Sequence, residues 1–161
     1  MVKRTAAILV LSIFMVFRVE AFMVSFLVIE TGLSEEADNP HSHNWEDALL
    51  YVFFDEGFIV SNADMLRLAS RPSGRIDDII THDLDAAREG GANYFVAVQL
   101  DYVQGVSAPR TVSFFVYRIH QDQHEMIYQT QMAGRTYRLA RNETADLRRT
   151  VRGLVPHIRR R

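Results

Sequence analysis

Residues 77–103, DDIITHDLDAAREGGANYFVAVQLDYV, have the pattern of a helix, a glycine stop and a buried strand. Gly90 and Gly91 follow the helical pattern, and glycine tolerates the positive φ with which helices often end. Residues 94–98 are apolar on both faces, as in a strand that is covered on both sides of its sheet. The helical part has apolar side chains at spacings of three and four residues, which share one face: Ile76, Ile80, Leu84 and Ala87.

The same succession of elements occurs earlier in the chain. The apolar run 22–29 predicts a first strand, and the polar residues 33–42, which include Pro40, predict a loop. Asn44 is the predicted N-cap of the helix that follows. Gly57 stops this helix and precedes a short apolar strand at residues 58–61. The helical stripe consists of Trp45, Ala48, Leu49, Val52 and Phe53.

The remaining segments predict a short helix, a hairpin and a final helix. Residues 64–70 predict the short helix, and residues 111–119 and 125–132 alternate as the two strands of a hairpin. The final helix starts at Asn142 or Thr144, and Gly153 and Pro156 weaken or kink it. Its apolar face consists of Leu147, Val151, Leu154, Val155 and Ile158.

These elements give the order β-α-β-α-β-β-β-α in one three-layer α/β domain. Right-handed crossovers make the first three strands parallel. If the third strand returns to the other side of the first, the hairpin supplies strands 4 and 5, and the strands lie in the order 2-1-3-4-5 across the sheet. We therefore predict a mixed five-stranded sheet with helices on both faces.

The first 21 residues have a different pattern from the rest. Lys3 and Arg4 precede the uncharged run 5–17, and residues 19–21, Val-Glu-Ala, offer the small residues that a signal peptidase needs. The run is shorter than the ~20 apolar residues of a membrane span. We therefore divide the chain into a signal peptide, 1–21, and an α/β domain, 22–161, with a periplasmic or secreted location. An uncleaved membrane anchor is the alternative, because residues 22–29 are apolar again.

No motif in the chain predicts catalysis, a metal site or a cofactor. The chain has no cysteine, no nucleophile elbow, no phosphate-binding glycine loop and no dinucleotide fingerprint. Two histidine pairs, His41 with His43 and His120 with His124, have spacings that can chelate zinc. Both pairs lie in predicted polar loops, so solvated histidines are the favoured interpretation.

Four polar residues follow the first two predicted strands and define a candidate ligand rim. Open α/β sheets bind ligands outside the carboxyl ends of their strands, which is the only reason to single them out. An ordinary polar loop edge is the favoured interpretation. The rim consists of Glu30, Thr31, Ser61 and Asn62.

Charge is distributed unevenly along the chain. Residues 22–134 hold 17 acidic and 6 basic residues, whereas residues 135–161 hold 9 arginines and 2 acids. Such a basic segment can dock on its own acidic body, on an envelope protein or on an anionic envelope surface. Nucleic acid is not expected, because the export signal removes the chain from the cytoplasm and no aromatic residues are interleaved with the arginines. The predicted partner-binding residues are Arg148, Arg149, Arg152, Arg159, Arg160 and Arg161.

Residues 55–60 and 86–98, followed by a hairpin, resemble a group of bacterial envelope proteins. The group comprises the TolB amino-terminal domain, the curli-secretion lipoprotein and the LpoB-type activators, in which a helix ending in Gly-Ala-(Asp/Asn)-Tyr enters a central strand. The resemblance implies a non-enzymatic periplasmic domain that binds or assembles envelope components. The chain departs from the group by lacking a lipidation cysteine. The alternative is a small-ligand or metal-binding protein, or an enzyme, that uses the ligand rim.

We predict that the signal peptide is removed on export. N-terminal sequencing of the protein from an envelope fraction should begin near Phe22. An intact chain that starts at Met1 and is embedded in the membrane would contradict cleavage.

Overall fold

The computed structural model describes residues 22–33, 39–71, 73–121, 123–136 and 140–159. The predicted signal peptide, Arg160 and Arg161 lie outside these residues. No helix in the described ranges is long and apolar enough to cross a membrane. The strands are β1 (Met23–Thr31), β2 (Ile59–Asn62), β3 (Leu66–Leu68), β4 (Tyr94–Asp101), β5 (Thr111–Ile119) and β6 (His124–Ala133). The helices are α1 (Pro40–Asp55), α2 (Ile76–Glu89), α3 (Ala140–Arg152) and α4 (Val155–Arg159).

The strands form one mixed sheet in the order β2-β1-β4-β5-β6, with β3 also paired to β1. β2, β3 and β4 run parallel to β1, and the β5–β6 hairpin is antiparallel to β4. This is the predicted 2-1-3-4-5 order with a sixth, short strand added. The α/β fold with helices on both faces is therefore confirmed.

The short helix predicted over residues 64–70 is wrong, because this segment contains β3. Leu66 and Leu68 pack against the core, and residues 66–68 pair with residues 29–31 of β1. β2 pairs only with residues 23–26, so the far end of β1 would otherwise have an unpaired edge. β3 supplies the missing backbone hydrogen bonds, which a buried strand requires.

The predicted start of α1 is also wrong. The helix begins at Pro40, inside the predicted loop, and Asn39 rather than Asn44 is its N-cap. The Asn39 side chain accepts a hydrogen bond from the His41 backbone N–H at 3.0 Å. Pro40 is favourable in the first turn because the missing N–H has no helical partner there.

The central strands separate two apolar layers. α2 covers one face of the sheet, and α1, α3 and α4 cover the other. Side chains of β1 alternate between the layers: Val24, Phe26 and Val28 on the α1 side, Leu27 and Ile29 on the α2 side.

A partly buried hydrogen bond fixes the start of α2 on its face of the sheet. The Tyr117 hydroxyl in β5 donates to Asp77 Oδ1 at 2.7 Å. Burial raises the pKa of Asp77, but the hydrogen bonds from Tyr117 and Arg75 outweigh it and hold that pKa below its usual value. Burial also raises the pKa of Tyr117 well above its usual value, so its hydroxyl remains a donor. The negative charge of Asp77 is also favourable near the N-terminus of α2, which carries partial positive charge.

The break between α3 and α4 agrees with the predicted kink. α3 ends at Arg152, and the chain turns at Gly153 before α4 begins at Val155. Pro156 therefore lies in the first turn of α4, where proline is tolerated. The predicted apolar face is buried in the core, and its members are Leu147, Val151, Leu154, Val155 and Ile158.

The glycine stop after α2 is confirmed. Gly91 has a φ of +82° and Gly90 a φ of −72°. A Cβ on Gly91 would meet nothing within 4 Å, so the backbone conformation alone requires glycine there.

We expect Gly91→Val to lower the free energy of unfolding by more than about 1 kcal/mol, because a β-branched residue is strained at positive φ. Urea unfolding measures this effect. Gly90→Ala is the matched control, since its φ is open to any residue, and it should cost less. A Gly91→Val variant that unfolds like the parent would show that this stop does not depend on glycine.

Candidate interaction surface

α1 carries an apolar stripe on its outer face in addition to its buried one. Leu50, Tyr51 and Phe54 recur at helical spacing with Asp47, on the side away from the core. Their exposed fractions are 49%, 46% and 75%. A helix that is apolar on both faces is usually buried on both, whereas this helix leaves one face in water. The sequence carries the signal for this second face, because Leu50, Tyr51 and Phe54 lie outside the helical stripe that contains Trp45, Leu49 and Phe53.

Arg148 of α3 lies against this outer face of α1. Its guanidinium carbon is 3.6 Å from the centroid of the Tyr51 ring, which is a cation–π contact. Asp47, Leu50, Tyr51, Phe54 and Arg148 line a shallow groove of about 440 Å³, and we call these five residues the α1 surface.

Two of the predicted partner-binding arginines contact the acidic body of the same chain. Arg152 lies 2.9 Å from Asp55 Oδ2 and 3.3 Å from Glu56 Oε1. Arg159 lies 3.2 Å from Glu56 Oε2 and also donates to the Glu56 backbone carbonyl. Arg149 is 82% exposed and pairs with Asp146 on its own helix at 3.6 Å. The basic segment is therefore divided between internal contacts and the surface.

The internal contacts have a clear electrostatic reason. α1 ends in two acidic residues, Asp55 and Glu56, and has no basic residue in its last turn. The C-terminus of a helix carries partial negative charge, so these acids are unfavourable there. Arg152 and Arg159 supply the compensating positive charge and hold α3 and α4 beside α1. Arg148 is positioned over Tyr51 as a result.

The candidate ligand rim is divided into two separate pairs. Glu30 and Thr31 lie at the end of β1, whereas Ser61 and Asn62 pair with Ser25 and Phe26 near its start. At ~3.3 Å per residue, five residues of strand separate the two pairs by roughly 17 Å. The split arises because β2 is short and β3 replaces it along β1.

Partly buried ion pairs and hydrogen bonds occupy the end of β1. Glu30 is 1% exposed, and its Oε2 accepts a hydrogen bond from Arg67 Nε at 2.8 Å. Thr31 donates to Asp101 Oδ1 at 2.5 Å, and Arg71 lies 3.3 Å from the second oxygen of Asp101. Glu30 Oε1 is buried without a hydrogen-bond partner among the described residues.

Tyr102 extends this polar region towards α1. Its hydroxyl is 2.7 Å from Ser42 Oγ. Burial raises the pKa of Tyr102 well above its usual value; the hydrogen bond with Ser42 lowers it in part, and the charges of Glu30 and Glu143 raise it further. Tyr102 is therefore a neutral, buried phenol that links β4 to the first turn of α1.

The histidine pairs do not converge on one site. His41 and His43 lie in α1, not in the predicted loop, and they face Glu143 at 2.5 Å and Glu46 at 3.2 Å. His120 and His124 lie at the β5–β6 turn. Within the described part of the chain, no three histidine, aspartate or glutamate side chains form a group that could hold a metal ion.

The fold and surface define a mixed α/β domain with an exposed apolar helix face. A family model described as "Uncharacterised protein" matches residues 23–127, more than half of the chain, so the chain belongs to that family. No curated protein matches it.

Several solved structures are similar to the chain. A PelC dodecamer from Paraburkholderia phytofirmans is 16% identical, with a TM-score of 0.48 and coverage of 85% of this chain and 89% of that chain. The hypothetical protein CT253 from Chlamydia trachomatis is 13% identical, with a TM-score of 0.49 and coverage of 85% and 95%. Lipoprotein GNA1162 from Neisseria meningitidis is 11% identical, with a TM-score of 0.37 and coverage of 83% and 99%.

We predict that Arg152 and Arg159 stabilise the fold and that Arg149 does not. An Arg152→Gln, Arg159→Gln variant should lose about 1 kcal/mol of unfolding free energy at low salt, since exposed ion pairs each contribute ~0–1 kcal/mol. The loss should shrink as salt screens the pairs. Arg149→Gln is the control and should melt like the parent. Equal stability of the double variant and the parent at low salt would contradict this assignment.

Proposed function

We propose that the protein is a non-enzymatic, exported domain that binds another protein of the bacterial cell envelope through the α1 surface. The observation that carries the proposal is the exposure of Leu50, Tyr51 and Phe54 on one helix face. Contiguous apolar patches with a polar rim on soluble domains typically mark interaction sites.

The composition of the α1 surface suits a binding site. Aromatic residues and arginine dominate the residues that contribute most to binding energy at protein interfaces. Burial of apolar area is worth roughly 25 cal/mol per Å², and Phe54 has the most area left to bury. Tyr51 is already held by Arg148, so its ordering on binding costs less conformational entropy.

The charge beside the groove indicates the partner's chemistry. Arg148 is partly buried against Tyr51 of the α1 surface, and Arg149, the next residue of α3, is 82% exposed. A partner with an apolar ridge and acidic neighbours would complement them. Complementary charges increase the rate at which the two proteins meet, and salt weakens the attraction between these charges.

The envelope location rests on the sequence. The basic start, apolar run and small residues of the first 21 positions support export, and residues 55–60 and 86–98 support the resemblance to envelope domains. A membrane contact follows only if the N-terminal segment is retained. Arg160 and Arg161 remain candidate contributors to an anionic contact.

A second proposal is a small-ligand or metal-binding protein, or an enzyme, with its site at the end of β1. It is favoured by Glu30 alone, whose buried Oε1 has no hydrogen-bond partner in the described ranges. A ligand donor or a cation could satisfy this oxygen. The other oxygen already pairs with Arg67, so the first proposal is the stronger one.

We expect a Leu50→Ser, Phe54→Ser variant to fold like the parent and to lose its partner in a pull-down from envelope extracts. Both side chains are exposed, so their replacement removes little buried area. A Val103→Ser, Val106→Ser variant, altered at two other exposed apolar positions, is the matched control and should retain the partner.

Two results would contradict the binding proposal. One is partner capture by the Leu50→Ser, Phe54→Ser variant at the parent's level. The other is a metal or small molecule that co-purifies with the parent and is lost in Glu30→Gln, which would favour the second proposal.

A further inference from the structure

β6 lies at one edge of the sheet and offers backbone groups for pairing. Its inner side pairs with β5, and no strand of the described chain pairs with its outer side. The ring of Tyr128 stacks on His157 with the centroids 3.6 Å apart, so α4 packs against one face of this strand. Gln129, Gln131 and Ala133 are exposed.

The two edges of the sheet differ in how they are protected. Natural edges are protected by short strands, charges, prolines or bulges. The opposite edge consists of two short strands, β2 and β3. In β6, Tyr128 pairs with Val116 and Met126 with Tyr117, so Ile127 is an extra residue that forms a bulge. Beyond this bulge, residues 128–133, YQTQMA, contain no charge and no proline. This part of the β6 edge therefore lacks these protective features.

We propose that two copies of the chain pair antiparallel through residues 128–133 of β6 and join their sheets into one. A two-fold axis at Thr130 places Gln129 of one copy opposite Gln131 of the other. It also places Tyr128 opposite Met132. Amide–amide and aromatic–thioether pairs are favourable cross-strand neighbours, and both occur twice in this arrangement.

Self-complementarity favours a second copy as the occupant of this edge. The chemistry around Thr130 is the same in both directions, Gln-Thr-Gln, so a two-fold pairing creates no clash of charge. Glu125 lies towards one end of β6 and Arg135 just beyond the other. Antiparallel pairing brings Glu125 of one copy towards Arg135 of the other at both ends, where Arg135 also pairs with Asp146 of its own chain at 3.0 Å. An isologous contact of this kind closes at the dimer.

Analytical ultracentrifugation of the intact purified protein tests the proposal. The parent should show a concentration-dependent dimer. Gln129→Lys, Gln131→Lys should raise the dimer dissociation constant at least about ten-fold, because like charges directly opposite are destabilising. Gln129→Glu, Gln131→Glu should do the same. An equal mixture of the two variants should restore dimers, since each lysine then faces a glutamate.

The matched control is Gln104→Lys, Gln121→Lys, which adds the same charge at exposed turns and should dimerise like the parent. A parent that is monomeric up to its solubility limit, a lysine variant that dimerises fully, or a mixture that fails to form dimers would each overturn the proposal. Dimers lost in Leu50→Ser, Phe54→Ser but kept in the lysine variant would also overturn it, since the copies would then meet through the α1 surface. If a monomeric lysine variant still captures the envelope partner, pairing through β6 and partner binding through the α1 surface are separate properties.

Discussion

The parallel pairing of β1 with β4 at the centre of the sheet is the constraint on which the remaining structure depends. Both strands are buried along almost their whole length, so each face needs an apolar cover and each backbone group needs a partner. α2 covers one face, and α1, α3 and α4 cover the other. The hairpin pairs with the free side of β4, and β2 and β3 together pair with the free side of β1.

The elements predicted from sequence are those with a strong local pattern. Residues 77–103 form a helix, a stop at Gly91 and a central strand because periodicity, glycine conformation and burial all agree there. β3 has no comparable local signal, since its three residues are held by pairing with β1. The start of α1 was misplaced because Asn39 and Pro40 are as typical of a loop as of a helix N-terminus.

The candidate surface was predicted less completely than the fold. Spacing shows that arginines share a helix face, but it cannot show that Arg152 meets Asp55 and Glu56, which lie 97 and 96 residues earlier. The resulting division of the basic segment depends on tertiary packing. The sequence does carry a signal for Leu50, Tyr51 and Phe54, because a helix that is apolar on two faces has more apolar area than its contact with the core can bury.

The layer over the α1 side of the sheet is completed by α3 and α4, which lie within residues 140–159. Leu147, Val151 and Ile158 lie in the same core cluster as Trp45 and residues of β1 and β4. α3 and α4 follow all six strands in the chain, so they cannot cover this face of the sheet until residues 140–159 have been synthesised. A growing chain that lacks residues 140–159 therefore exposes part of this apolar layer, and exposed apolar surface of this kind is prone to aggregation.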